Sequence, residues 1–94
     1  MPELLDPAAV DAALRERGLA WRREGNELVK QSKRTGFTGA LAYVNEVGAL
    51  AEAANHHPDI DIRWDTVTLR LFTHSAGGLT ELDIELAARI DALD

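Results

Sequence analysis

The sequence predicts an α+β fold in which a four-stranded antiparallel sheet carries about three helices on one face. Three observations lead there. Two segments read as β-hairpins, one from a glycine-asparagine turn between strand-like runs and the other from strict alternation of apolar and polar residues. Three more read as helices from their caps and apolar stripes. The order helix, hairpin, helix, hairpin, helix lets one face of an antiparallel sheet be covered while the other stays polar.

The first helix is marked by Asp6 as N-cap, Pro7 at the first helical position and Gly18 after the run Ala8 to Arg17. Leu5 and Val10 are spaced to staple across that cap. The first hairpin follows, with runs Leu19 to Glu24 and Glu27 to Ser32 around the tight turn Gly25-Asn26. A second helix spans about Thr38 to Ala54, its stripe formed by Leu41, Val44, Val47 or Gly48, Ala51 and Ala54, with Phe37 packing at its entrance. Pro58 ends it, because a proline disfavours helical geometry in the residue before it.

In the second hairpin, Ile60, Ile62 and Trp64 alternate with polar residues, and then Val67, Leu69 and Leu71 do the same, which predicts a turn near Asp65-Thr66. The last helix opens at Thr80, with Asp83 three residues on in a capping pattern, and Leu82, Leu86, Ile90 and Leu93 form its stripe. No internal repeat or low-complexity linker interrupts the series.

Composition bounds the function. A chain of 94 residues has room for a single domain, 1–94, and its small core without cysteine points to a homo-oligomer as a source of added stability. The absence of cysteine removes thiolate catalysis and cysteine-based zinc motifs. The N-terminal residues lack a basic stretch followed by an apolar one, and no run approaches the roughly 18 apolar residues of a membrane span, so the expectation is a cytoplasmic protein without membrane attachment. A net charge of −6 argues against nucleic-acid binding through a basic surface. Arg22, Arg23, Lys30, Lys33 and Arg34 are the local exception, read as solvated edges and faces of a hairpin that discourage sheet aggregation.

All three histidines fall between positions 56 and 74, two of them adjacent at a helix-to-strand junction. Histidine suits proton transfer near neutral pH, and element ends are where a scaffold presents such groups. Glu52, one turn before His56, and Asp83 are carboxylates able to orient an imidazole. Ordinary structural accounts stand beside these. His57 can be a helix-terminating residue with an exposed ring, His74 a strand-end residue, Asp83 a cap and Glu52 a solvated helix residue. By strand parity, His74 points away from the core unless the strand bends or ends first. A metal site is disfavoured, since adjacent side chains diverge and the chain has no helical H-x-x-x-H pair. Neither a nucleophile motif nor a phosphate-binding glycine pattern occurs.

The run Glu52-Ala53-Ala54-Asn55-His56-His57-Pro58, followed by Trp64, His74 and Asp83, resembles the signature of the pterin-4a-carbinolamine dehydratases. The flanking Thr73-His74, Ala76-Gly77-Gly78-Leu79-Thr80-Glu81 and Asp83-Ile84 extend the likeness over nearly the whole chain. The resemblance implies a hydro-lyase, a 4a-hydroxytetrahydrobiopterin dehydratase, assembled as a dimer or tetramer. It would dehydrate a 4a-hydroxytetrahydropterin to the quinonoid dihydropterin during tetrahydrobiopterin recycling, with no metal and no cofactor beyond the small-molecule pterin substrate.

It implies catalytic roles for His56, His57 and His74, with His57 and His74 as acid and base and His56 holding the pterin ring. Glu52, Asn55, Pro58 and Asp83 become the substrate-binding surroundings, Glu52 and Asp83 also as partners of the histidines. Some family members have aspartate where Asn55 stands, tryptophan near Ile60 and a basic residue at the place of Leu82. The alternative is a non-catalytic dimerisation or interaction module, or a pterin-binding protein of another pathway.

Overall fold

A computed structural model describes residues 2–94. Helix α1 spans Pro7–Glu16, and Asp6 Oδ1 accepts a 2.8 Å hydrogen bond from the Ala9 amide, satisfying one of the donors that a helix start leaves free. Strands β1 (Arg22–Glu24) and β2 (Glu27–Lys33) meet through Gly25-Asn26, with Gly25 at φ 61°, as a tight hairpin turn requires. Helix α2 covers Gly36–Ala54, β3 Asp59–Arg63, β4 Thr66–Leu71 and α3 Glu81–Asp91.

The sheet order is β1-β2-β4-β3, antiparallel throughout. Three helices and this four-stranded sheet are the α+β fold read from the sequence. Pairing of Leu28 with Leu71, Lys30 with Leu69 and Ser32 with Val67 puts these side chains on one face. Leu28, Val67, Leu69 and Leu71 there join Val10 of α1, Ala40, Tyr43, Val47 and Ala51 of α2, and Ile84, Ala87 and Ile90 of α3 in a single core. On the opposite face Gln31 stands across from Thr68, and Asp59 from Arg70. Among the described residues no helix is long and apolar enough to cross a membrane.

Several elements depart from the sequence reading. The β3–β4 turn is Trp64-Asp65, one residue earlier than expected, and Trp64 leaves the alternation of Ile60 and Ile62. It adopts φ 56°, is 70 % exposed and stacks on Phe37, with ring centroids 6.5 Å apart. In α2 the buried stripe is Ala40, Tyr43, Val47 and Ala51, while Leu41 is exposed. An apolar residue at nearly every position of this helix offers two stripes one step apart, and the large ring of Tyr43 takes the interior. Leu82 likewise lies outside the α3 stripe, which runs through Ile84 and Ala87.

Lys30 is not on a solvated face. It projects from the core side of β2, where Nζ donates to Asp91 Oδ1 and Asp94 Oδ2, each at 2.6 Å. Asp91 also accepts from the Ala20 amide (2.7 Å) and Trp21 Nε1 (2.9 Å), tying the entrance of β1 to the end of α3. A buried ammonium needs such partners to remain charged.

Candidate active site

The chain leaves α2 through Asn55, which adopts the left-handed conformation at φ 48° and ψ 43°. Asparagine takes this conformation more readily than most residues, and it closes helices as glycine does. The amides of Asn55 and His56 both return to the Ala51 carbonyl, and Pro58 then commits the chain to the extended path of β3. This reversal separates the two adjacent histidines. His56 turns into the protein, where Nε2 lies 2.5 Å from Asp83 Oδ1. His57 turns outward, its Nε2 2.5 Å from Glu52 Oε2 on the last turn of α2.

Asp83 is fully buried. As the third residue of α3 it completes the predicted capping box, its Oδ2 accepting the Thr80 amide at 3.0 Å. The same oxygen accepts the Thr73 hydroxyl at 2.6 Å, and the hydroxyls of Thr73 and Thr80 lie 2.9 Å apart. One carboxylate therefore caps a helix and holds an imidazole 27 residues away. With no exposed surface, it meets His56 rather than open solvent.

Strand β4 ends at Leu71, and beyond it Thr73 and Gly78 form a bridge enclosing a turn over residues 74–77. Parity holds through this exit. Thr73 points inward and is buried, while His74 is exposed, with the Phe72 ring edge-on at 4.9 Å between centroids.

These two junctions, α2 to β3 and β4 to α3, border one cavity of about 290 Å³. His56, His57 and His74 all line it, together with Asn55, Phe72, Thr73, Ser75 and Leu82. Glu52, Pro58 and Asp83 are not among the lining residues; Glu52 and Asp83 reach the site only through their contacts with His57 and His56. Phe72, Thr73, Ser75 and Leu82 were not singled out as site residues in the sequence. For Thr73 the signals were its place beside His74 in the segment that flanks the family signature and the inward-outward alternation that continues past β4. A cavity of similar size, about 290 Å³, lies on the uncovered face of the sheet among Arg22, Arg63, Arg70, Asp59 and Asp61. It has no imidazole, so the histidine cavity is the one equipped for proton transfer near neutrality.

A family model described as Pterin 4 alpha carbinolamine dehydratase matches residues 3–93. A protein of Roseiflexus castenholzii is 50% identical over 93 residues, covering 99% of both chains. One of Nocardia farcinica is 50% identical over 91 residues, covering 97% of this chain and 95% of that one. Both carry pterin-4-alpha-carbinolamine dehydratase as a provisional name.

Among solved structures, a transcriptional coactivator/pterin dehydratase from Brucella melitensis superposes with a TM-score of 0.86 at 29% identity, covering 95% of this chain and 96% of that one. A pterin dehydratase-like RuBisCO assembly factor of the alpha-carboxysome gives a TM-score of 0.67 at 28% identity, covering 82% and 92%.

Proposed function

The chain belongs to the pterin 4 alpha carbinolamine dehydratase family, and from that premise we propose that it dehydrates a 4a-hydroxytetrahydropterin to the quinonoid dihydropterin by histidine acid-base catalysis. The observation that carries this reading is the convergence of His56, His57 and His74 on one cavity. Loss of the C4a hydroxyl needs a proton delivered to the departing oxygen and another removed from the ring system. Two imidazoles facing a shared ligand can do both. His57 and His74, the two exposed rings, are the acid and base; His56, anchored through Asp83, holds the pterin. Phe72 and Leu82 supply apolar contact for the planar ring, and Asn55 a polar one. The reaction then serves tetrahydropterin recycling in the cytoplasm, by a homo-oligomer.

A second reading has specific support, because one structural neighbour is described as an assembly factor and another as a coactivator. The complete histidine set favours the lyase. The deciding experiment incubates the protein with a freshly generated 4a-hydroxytetrahydropterin and follows product absorbance. Acceleration over buffer supports the lyase, and its absence supports the binding module.

A further inference from the structure

The donors around Asp83 form a directed chain. A carboxylate only accepts, so Thr73 must give its hydroxyl proton to Oδ2, where the Thr80 amide also points. With its proton committed, Thr73 Oγ1 is left to accept from the Thr80 hydroxyl at 2.9 Å, and Thr80 Oγ1 in turn accepts the Leu82 amide at 3.2 Å. Every proton in the chain runs toward Asp83. Its other oxygen, Oδ1, has His56 Nε2 as the partner at 2.5 Å.

We infer that Thr73 is a positioning residue. By donating to Oδ2 it fixes the carboxylate with Oδ1 turned toward His56, and that acceptor holds the imidazole in the tautomer with its proton on Nε2. The neutral ring then has Nδ1 as its single acceptor. In the proposed reaction that acceptor takes a hydrogen bond from a ring N–H of the pterin, so this part of the inference rests on the dehydratase reading. The tautomer itself does not. Burial gives the relay its effect: Thr73, Thr80 and Asp83 are at most 3 % exposed, so water does not replace a missing donor without cost.

The relay uses the hydroxyl at position 73 in a way that a methyl of equal size could not replace. In Thr73→Val, Oδ2 loses its shortest donor and the carboxylate is free to rotate. Asp83→Asn has a sharper consequence. Thr73 and the Thr80 amide both demand an acceptor, so the amide oxygen faces them and the NH₂ faces His56. That forces Nε2 to accept and moves the ring proton to Nδ1.

The test is long-range ¹H–¹⁵N correlation on histidine-labelled protein, at a pH where the ring carries one proton, alongside single-turnover kinetics. Wild type is expected to show Nε2–H at His56, and Asp83→Asn to show Nδ1–H. Thr73→Val, whose carboxylate still accepts at both oxygens, is expected to keep Nε2–H at His56 but to speed its exchange with water and to lower kcat by about tenfold or more, the scale on which outer partners of a functional histidine act. Thr73→Ser, which keeps the donor, should restore both readouts. Nδ1–H in wild type, an unchanged tautomer in Asp83→Asn, or wild-type kcat in a folded Thr73→Val would each overturn the proposal. If Thr73→Val does not fold, Thr73→Ala removes the same donor and is read in the same two ways. A tautomer pattern as expected in a protein that accelerates no dehydration supports the relay and sinks the dehydratase reading alone.

Discussion

Glu52 Oε2 and His57 Nε2 meet at 2.5 Å on the outside of the protein, with side chains 79% and 55% exposed. An exposed pair of this kind contributes little to folding, about 0–1 kcal/mol. Glu52→Ala should therefore leave the urea midpoint almost unmoved while lowering dehydratase turnover, because His57 loses the partner that fixes its ring. Equal losses of stability and activity would place Glu52 in a structural role instead.

Replacing His57 or His74 with alanine should slow dehydration by roughly a hundredfold to ten-thousandfold, as removal of a general acid or base does. Both rings are exposed, so far-UV circular dichroism and thermal midpoints should match the parent protein. Full activity in both variants would remove proton transfer from these residues.

Asp91 gathers three donors, the Ala20 amide, Trp21 Nε1 and Lys30 Nζ. Asp91→Ala leaves the Lys30 ammonium short of a partner inside the protein and frees the entrance of β1. A loss of about 3 kcal/mol is expected from equilibrium denaturation, the lower end of the range for breaking a buried ion pair.

The same network sets the pH limits of stability. Burial pushes the Asp94 carboxyl up, but hydrogen bonds and charge from Lys30 and Arg34 outweigh it, and the net shift is below the ordinary 3.8. For Lys30, burial pulls downward and its bonds to Asp91 and Asp94 overcome it, a net shift above 10.5. A lowered carboxyl stabilises the fold above its ordinary value and loses that effect as pH falls through the folded value. A raised ammonium stabilises below its ordinary value and loses the effect as pH climbs through the folded one. Urea midpoints should thus decline below about pH 3.8 and above about pH 10.5 for these groups. Asp94→Asn should flatten the acid limb and Lys30→Met the alkaline one.

Tyr43 places its hydroxyl in the interior with no hydrogen-bond partner among the described residues, and the Arg34 guanidinium lies 4.1 Å from its ring centroid. Tyr43→Phe removes the stranded oxygen and keeps the ring beneath the cation. Its stability should stay within about 1 kcal/mol of the parent or rise, as measured by denaturation midpoint.

What could be read in the sequence was whatever a few neighbouring residues decide. Asp6 with Pro7, the Gly25-Asn26 turn and the Thr80 to Asp83 box each act within one turn, and each appears where expected. Alternation located β3 and β4 but ran on through Trp64, because a period of two has no marker for the residue at which the chain starts to reverse. Lys30 was misread for a different reason. Its partners Asp91 and Asp94 lie 61 and 64 residues away, so nothing local distinguishes it from the solvated Lys33. The histidine cluster was visible, yet its division into one buried and two exposed rings depends on a left-handed residue and on a carboxylate from α3.

That left-handed residue also governs how freely this stretch can change. Only glycine, asparagine and aspartate occupy such a conformation at small cost, so position 55 draws on a narrow alphabet. With position 55 held, two adjacent codons answer to different pressures. Position 56 is tied to a buried partner and tolerates little, whereas position 57 faces solvent and can be altered without endangering the fold. A chain of this architecture could therefore shed or retune its outward histidine in a single mutational step and keep the scaffold.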